Sequence, residues 1–334
     1  LKHTNFATSY RSHIVQKDSG NPIWPFEKEV RFLINPKTSG DILSNAFLKC
    51  DLPALGATES YCQQVGYAMI KEVKLSIDGT TINRLTSDWN IIQKELFLKD
   101  TETRCLSRTV GDDNPISPDS KFPLYIPLNI FFSRDRTILY DEKIGTSDDF
   151  YKPYLLLCAC WNNEIEISVT FQPVPFFSNA VATTVSMDSL NLVTCEHTIT
   201  DKERLFYQTN KQISLINSVE VQSVLSIEKG QGTFKNFLSP SNPVKSFHWF
   251  FRNVDFEDAT TSTNFLKRFN FSSNVLSSNI YQENSNVIMA DAKIFLGGDR
   301  QIGFQGNSQT NNQVIGHGYY KYVQTFDHHL QPPN

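Results

Sequence analysis

The sequence predicts an all-β protein made of two β-sandwich units, and three observations carry that prediction. Residues 155–171 (LLLCACWNNEIEISVTF) hold two β signals back to back. The apolar run over 155–161 fits a strand buried on both faces. From Glu164 the period becomes two, with Ile165, Ile167, Val169 and Phe171 on one face and Glu164, Glu166, Ser168 and Thr170 on the other. Composition agrees: 12% of residues are aromatic, including 25 Phe and 12 Tyr, and only 20% are charged, which suits pleated, half-buried surfaces better than long surface helices. Finally, strand-length segments recur at short intervals in both halves, and 334 residues suit about two domains of ~100–200 residues each.

In chain order, residues 1–27 read as extended and irregular, with Pro22 and Pro25 around Trp24. Strands are expected over 28–34 (KEVRFLI) and 45–52 (NAFLKCDL), separated by the turn cluster 35–41. The sharpest local signal follows. Val73, Leu75 and Ile77 alternate with polar residues, Asp78-Gly79 supplies a two-residue hairpin turn, and 80–85 is the return strand. A short helix is expected over SDWNIIQKELF, with Asp88 as its cap and Trp89, Ile92 and Leu96 at helical spacing. Residues 100–121, rich in Asp, Pro and Ser, read as a surface loop. A strand over 124–132 leads to the charged turn Arg134-Asp135-Arg136, and 186–199 is a further strand. The polar corner 200–204 ends the first unit. The second unit is expected to hold strands over 219–227, 244–252, 267–271, 287–296 and 319–326, with turns at Gly230 and Gly232 and at 297–300. Pattern alone leaves the sandwich topology open, with a jelly roll as one option.

A net charge of −4 and a pI near 6.0 argue against a general nucleic-acid binder, and the largest basic cluster, Lys267-Arg268, reads as a solvated face. The six cysteines form no CxxC pair and read as reduced thiols, with Cys158 and Cys160 on one face of a buried strand. No apolar run approaches the ~18 residues of a membrane span, and no signal peptide is visible.

Each candidate for chemistry is weak. His328-His329 point to opposite faces of a strand, so the pair is poorly placed to share a metal. Asp255, Glu257 and Asp258 lack the spacing and glycine of a calcium loop. The Gly-containing stretches open no helix, so phosphate cradling has no support. Asn270-Phe271-Ser272 is a glycosylation sequon inside an expected strand. No catalytic, cofactor-binding or metal-binding residue is assigned.

Several motifs together resemble one family. His3-Thr4-Asn5-Phe6-Ala7 resembles its HTNFA-type opening, and 71–84 with Asp88-Trp89 resembles its VELEIGGQRID…DW hairpin and helix. YIPLNIFF at 125–132 is similar to YVPLxFFF, and 155–167 takes the place of PLIALQYHEVKL. Asp201-Lys202-Glu203-Arg204 resembles the DTxER corner. PVKSFHWFFRN at 243–253 and the stretch 292–329 resemble two segments of the second unit. In this way the chain is identified as a divergent member of the double jelly-roll major capsid proteins of nucleocytoplasmic large DNA viruses. Cys160-Trp161 replaces the usual Gln-Tyr, and KQISLIN stands where the family has HEYLIEQ.

The resemblance implies two consecutive eight-stranded-type jelly rolls, 1–203 and 204–334, with a few short helices in loops. Family strands of the SFALxP and NFSRI type are expected beyond Asn334. It implies a structural, non-enzymatic protein without cofactors, forming homotrimeric, pseudo-hexagonal capsomers that tile an icosahedral shell. Implied partners are neighbouring capsomers, minor capsid proteins and an internal membrane beneath the shell, with no direct nucleic-acid contact, in virions assembled in host cytoplasm. The loops 100–121, 228–243 and 253–266 are candidates for the outer surface or for clasping neighbours. The alternatives are a scaffold or minor capsid paralogue of the same fold and a lectin-like carbohydrate-binding sandwich.

Overall fold

The computed structural model describes residues 6–14, 25–97, 100–111, 115–133, 154–181, 185–187 and 189–213. Beyond these it describes 216–222, 225–228, 234–244, 246–252, 254, 264–268, 291–296, 299–305 and 323–327.

Among the described residues, nine strands build the first unit: β1 (Phe6–Ile14), β2 (Glu29–Ile34), β3 (Ile42–Leu52), β4 (Ile70–Ile77), β5 (Thr80–Thr86), β6 (Phe122–Pro127), β7 (Leu155–Leu156), β8 (Ile165–Phe171) and β9 (Leu190–Ile199). They form two antiparallel sheets. One has the order β1-β9-β3-β6, with β7 also on β3, and the other has the order β2-β8-β4-β5. The pairs β4·β5, β3·β6, β2·β8 and β1·β9 nest inside one another like the rungs of one long hairpin. Rolling that ribbon adds the pairs β4·β8 and β3·β9 and places successive nested pairs on opposite sheets. This is the jelly-roll topology.

The hairpin tip is Asp78-Gly79. Both residues have positive φ (49° and 76°), as a two-residue turn matched to strand twist requires. Asp78 also accepts hydrogen bonds from the Glu164 N–H (2.7 Å) and from Asn163 Nδ2, tying the tip to the start of β8.

Alternation in the strands then fills the space between the sheets. Val73 and Leu75 of β4, Phe32 and Ile34 of β2, and Ile165, Ile167, Val169 and Phe171 of β8 meet Leu48, Cys50 and Leu52 of β3, Leu124 and Ile126 of β6, and Leu190 and Leu192 of β9 in one continuous core. Each such side chain contributes roughly 1.5–3 kcal/mol on leaving water.

Among the described residues, four α-helices flank the sheets: α1 (Val65–Ala68), α2 (Ser87–Phe97), α3 (Asp100–Val110) and α4 (Asp201–Thr209). Helix α2 starts at Ser87, so Asp88 lies in its first turn instead of capping it. Helix α3 replaces the first half, 100–110, of the loop expected over 100–121. Its apolar side is carried by Leu106, which packs against the core, and by the buried Val110, and it stops at Gly111, whose φ of +99° suits glycine after a helix end. The polar corner 200–204 opens α4 through a capping box. The Glu203 N–H donates to Thr200 Oγ1, and the Thr200 N–H donates back to Glu203 Oε2.

Three further expectations change. The apolar run 155–161 is a strand only at Leu155–Leu156 and then turns into a 3-10 helix over Leu157–Cys160. Continuous hydrophobicity reports burial without a period, so it cannot separate the two. Cys158 and Cys160 therefore do not share a strand face: Cys158 packs with Ile42, Ile199 and Tyr207, and Cys160 against the main core. Strand β6 ends at Pro127, and 131–133 form a turn although Phe131 and Phe132 are buried. Strand β1 was not expected at all.

In the second half, β10 (Ser246–Phe250) pairs with β13 (Val323–Asp327), and β11 (Asp291–Leu296) pairs with β12 (Asp299–Gln305). The expected strand over 219–227 is absent from its described residues, and 264–267 are 3-10. Asp299 and Arg300, expected in a turn, begin β12. Gly230, Gly232, Asp255, Glu257, Asp258, Asn270, His328 and His329 lie outside the described residues.

Candidate assembly surface

Among the described residues no cluster of His, Cys, Asp or Glu is built to hold a metal, and no helix is long and apolar enough to cross a membrane. All six cysteines are free. Burial, then the Asp41 carboxylate, pushes the Cys158 thiol up to about 11, away from nucleophilic chemistry.

The first joint is the corner after β9. Asp41 is buried (6% exposed) and ends four chain paths at once. Its N–H donates to His197 O (2.9 Å), its carbonyl accepts from the Cys158 N–H (3.0 Å), and Oδ2 accepts from the Ile199 N–H (2.9 Å). Arg204 Nε and Nη2 then donate to Oδ1 and Oδ2, and Nη1 donates to Asp201 Oδ1 (2.9 Å). A planar fork on a carboxylate fixes direction as well as distance. Two residues of the corner motif, Asp201 and Arg204, thus set the angle at which the chain leaves the first roll.

The second joint is a seam between the first roll and the second half. Phe265 (2% exposed) enters the first roll's core. Arg268, also 2% exposed, lays its guanidinium carbon 3.9 Å from the centroid of the Phe176 ring and donates from Nε to Phe176 O (2.8 Å). Arg252 Nη1 donates to Asp88 Oδ1 (2.9 Å) and to Arg268 O (3.3 Å). The rings of Trp89 and His248 meet edge to face at 5.5 Å. Asp88-Trp89 and the 243–253 segment, singled out separately in the sequence, are therefore brought together here. The expectation that Lys267-Arg268 forms a solvated face is overturned at Arg268, which is buried because an aromatic face and a carbonyl replace its water.

The third feature is β1. Its inward face is polar and rests on Glu196, a carboxylate with no solvent exposure. Glu196 Oε2 accepts from the Gly40 N–H (2.6 Å) and Arg11 Nε (3.2 Å), while Oε1 accepts from Thr194 Oγ1 (2.9 Å). His13 Nε2 lies 3.1 Å from Thr194 Oγ1 and 3.9 Å from Glu196 Oε1. Burial holds the His13 imidazole below its ordinary pKa, with Glu196 pulling it up and Arg11 pushing it down. The outward face is the apolar one: Phe6, Tyr10 and Ile14 are 62%, 69% and 71% exposed. Across the same sheet face, Phe47 packs on Tyr125, over which Lys49 places its ammonium at 5.5 Å.

The described residues thus form a jelly roll joined through a buried seam to further β hairpins, with Phe6, Tyr10 and Ile14 exposed on one sheet face. The sequence profile of the major capsid protein N-terminus matches residues 1–206, and the chain belongs to the major capsid protein family. It is 25% identical over 280 residues to "Capsid protein 1" of Acanthamoeba polyphaga mimivirus, covering 74% of this chain and 43% of that protein. It is 26% identical over 188 residues to "Probable capsid protein 4" of the same virus, covering 51% and 32%. The chain thus spans under half the length of these relatives. A chain of the PBCV-1 virus capsid quasi-atomic model superposes with a TM-score of 0.71 at 16% identity, covering 98% of this chain and 78% of that one. PBCV-1 VP54, fitted into a reconstruction of the virophage Sputnik, gives 0.70 at the same identity and coverage. The fold is the double jelly roll.

Proposed function

We propose that this chain is a structural subunit of a viral capsid, in which three copies close into a pseudo-hexagonal capsomer and capsomers tile an icosahedral shell. The observation that carries this reading is the match of the major capsid profile to residues 1–206, the stretch that folds as the β1-β9-β3-β6 and β2-β8-β4-β5 roll. Two rolls side by side, taken as 1–203 and 204–334, give each subunit a pseudo-twofold footprint, and three such footprints around a threefold axis have a near-hexagonal outline. Contacts in such a ring are heterologous yet closed. They call for obligate-sized burial of ~2,000 Å² or more per interface.

On this reading the protein works by geometry, and no enzymatic step is assigned to it. Its place is the virion shell, assembled in the host cytoplasm, with neighbouring capsomers and minor capsid proteins as partners and an internal membrane below. The test is the solution mass of the full-length protein by light scattering at micromolar concentration, without added ligand or metal. A mass three times that of the subunit is expected. A stable monomer would overturn the proposal and direct attention to a lectin-like role, checked on a glycan array.

A further inference from the structure

In a closed ring with two units per chain, each first roll has two neighbours, the second unit of its own chain on one flank and that of the next copy on the other. The seam marks the first of these flanks. Its contacts at Asp88 and Trp89 sit on α2, the helix that follows β5. Asn90 of α2 accepts from Asn129 Nδ2 (2.8 Å), and Asn83 of β5 accepts from the Phe131 N–H (3.3 Å). Helix α2 therefore lies where the end strands of the two sheets, β5 and β6, come together. Strand β1 is the opposite margin of its sheet, and none of the hydrogen-bonded or ring partners of the seam described above lies on it.

That far margin is the apolar one. Phe6, Tyr10 and Ile14 recur at every fourth position, so they line one side of β1, and in a single copy that side is in water. In the register Ile14, Asn191, Lys49 and Tyr125 lie abreast, which carries the same face from β1 across the sheet to β6. Lys49 is the only charge in that row, and its ammonium lies over the Tyr125 ring. Exposed Tyr and Phe with few charges is the composition of an interface core. Covering Phe6 and Tyr10 takes on the order of 100 Å² each out of water, anchors for the ~800 Å² per partner of a stable interface. We infer that the β1 margin of the first roll, centred on Phe6, Tyr10 and Ile14, is the surface on which the second unit of the next copy docks. Each chain keeps its β1 on its own β9. The inference rests on the assembly reading above and adds to it which face of the first roll carries the contact between copies.

The test places a charge on that face in the full-length protein. Tyr10→Asp is expected to cut the mass measured by light scattering threefold, from the trimer to the single subunit. Its circular dichroism spectrum should stay unchanged, because Tyr10 belongs to no hydrophobic core cluster. A Tyr10→Asp trimer overturns the inference and leaves the assembly reading standing, whereas a monomeric unaltered protein defeats the assembly reading itself. Should Tyr10→Asp fail to fold, hydroxyl-radical footprinting of the unaltered trimer gives the answer. Phe6 and Tyr10 are expected to be oxidised several-fold less than Phe206 on α4 and Trp161, both exposed in the single copy. Equal oxidation would show that the face stays open in the ring, free for some other partner, and would overturn the inference.

Discussion

Arg204 and Asp41 stand 163 positions apart and are locked by a two-pronged charge pair, Nε to Oδ1 at 2.6 Å and Nη2 to Oδ2 at 3.0 Å. The pair joins the first residue before β3 to the helix that leaves the first roll. Lysine keeps the charge but has no planar fork, so Arg204→Lys is expected to lose most of the contact. Breaking a buried pair costs about 3–5 kcal/mol, and the partial exposure of Arg204 reduces this to roughly 2 kcal/mol. Urea unfolding of the two proteins checks it; equal midpoints would show that the fork holds nothing in place.

The seam makes a second prediction. Truncating Phe265 to Ala in the first roll's core is expected to cost about 3–5 kcal/mol. Arg268 and Phe176 should be coupled beyond their separate contributions, because the guanidinium is stacked on the ring away from water. A double-mutant cycle with Arg268→Lys and Phe176→Leu is expected to return ~1–2 kcal/mol of coupling. Additive losses would remove the stack as a source of stability.

Stability should also fall under mild acid, and His13 sets the sign. Its folded-state pKa lies below the ordinary 6.5, chiefly through burial, so the unfolded chain takes up the proton first. The groups facing it are Glu196, Arg11 and Thr194. Stability is therefore fully present above about pH 7 and declines as pH falls through the unfolded value of ~6.5 toward the folded one. Melting curves at pH 7.5 and 5.5 should separate for the native protein and draw together for His13→Gln.

Gly79 isolates a backbone effect. A Cβ there would meet nothing within 4 Å, yet φ is +76°. Gly79→Ala is thus expected to cost about 1–2 kcal/mol from left-handed strain alone, with no repacking. Circular dichroism should show an unchanged spectrum and a lower melting temperature; an unchanged melting temperature would mean that the turn relaxes freely.

Much of the first roll is legible in the sequence because period-two alternation and the Asp78-Gly79 turn are local. Strands β2, β4, β5, β8 and β9 carry one or the other. Strand β1 escapes the same reasoning because its inward side carries the polar Arg11 and His13 and its apolar side faces water, the reverse of the usual pattern. Helix α3 is hidden by its Asp, Thr and Ser content, since its apolar side reduces to Leu106 and Val110. Helix α4 had a readable signal in Thr200-x-x-Glu203, which the corner motif overshadowed. At the seam, Asp88-Trp89 and the 243–253 segment were visible as separate motifs. Their meeting was not, because long-range contact follows from topology. Nothing local marks Arg268 as buried.

The nested ribbon also has a consequence in time. Arg11 and its partner Glu196 are 185 positions apart, so within the first roll the earliest described strand is the one whose partner is made last. At a synthesis rate of about 5–20 residues per second, β1 waits on the order of 10–40 s before β9 exists. Throughout that interval Phe6, Tyr10 and Ile14 are carried by a nascent chain with no place to lay them down.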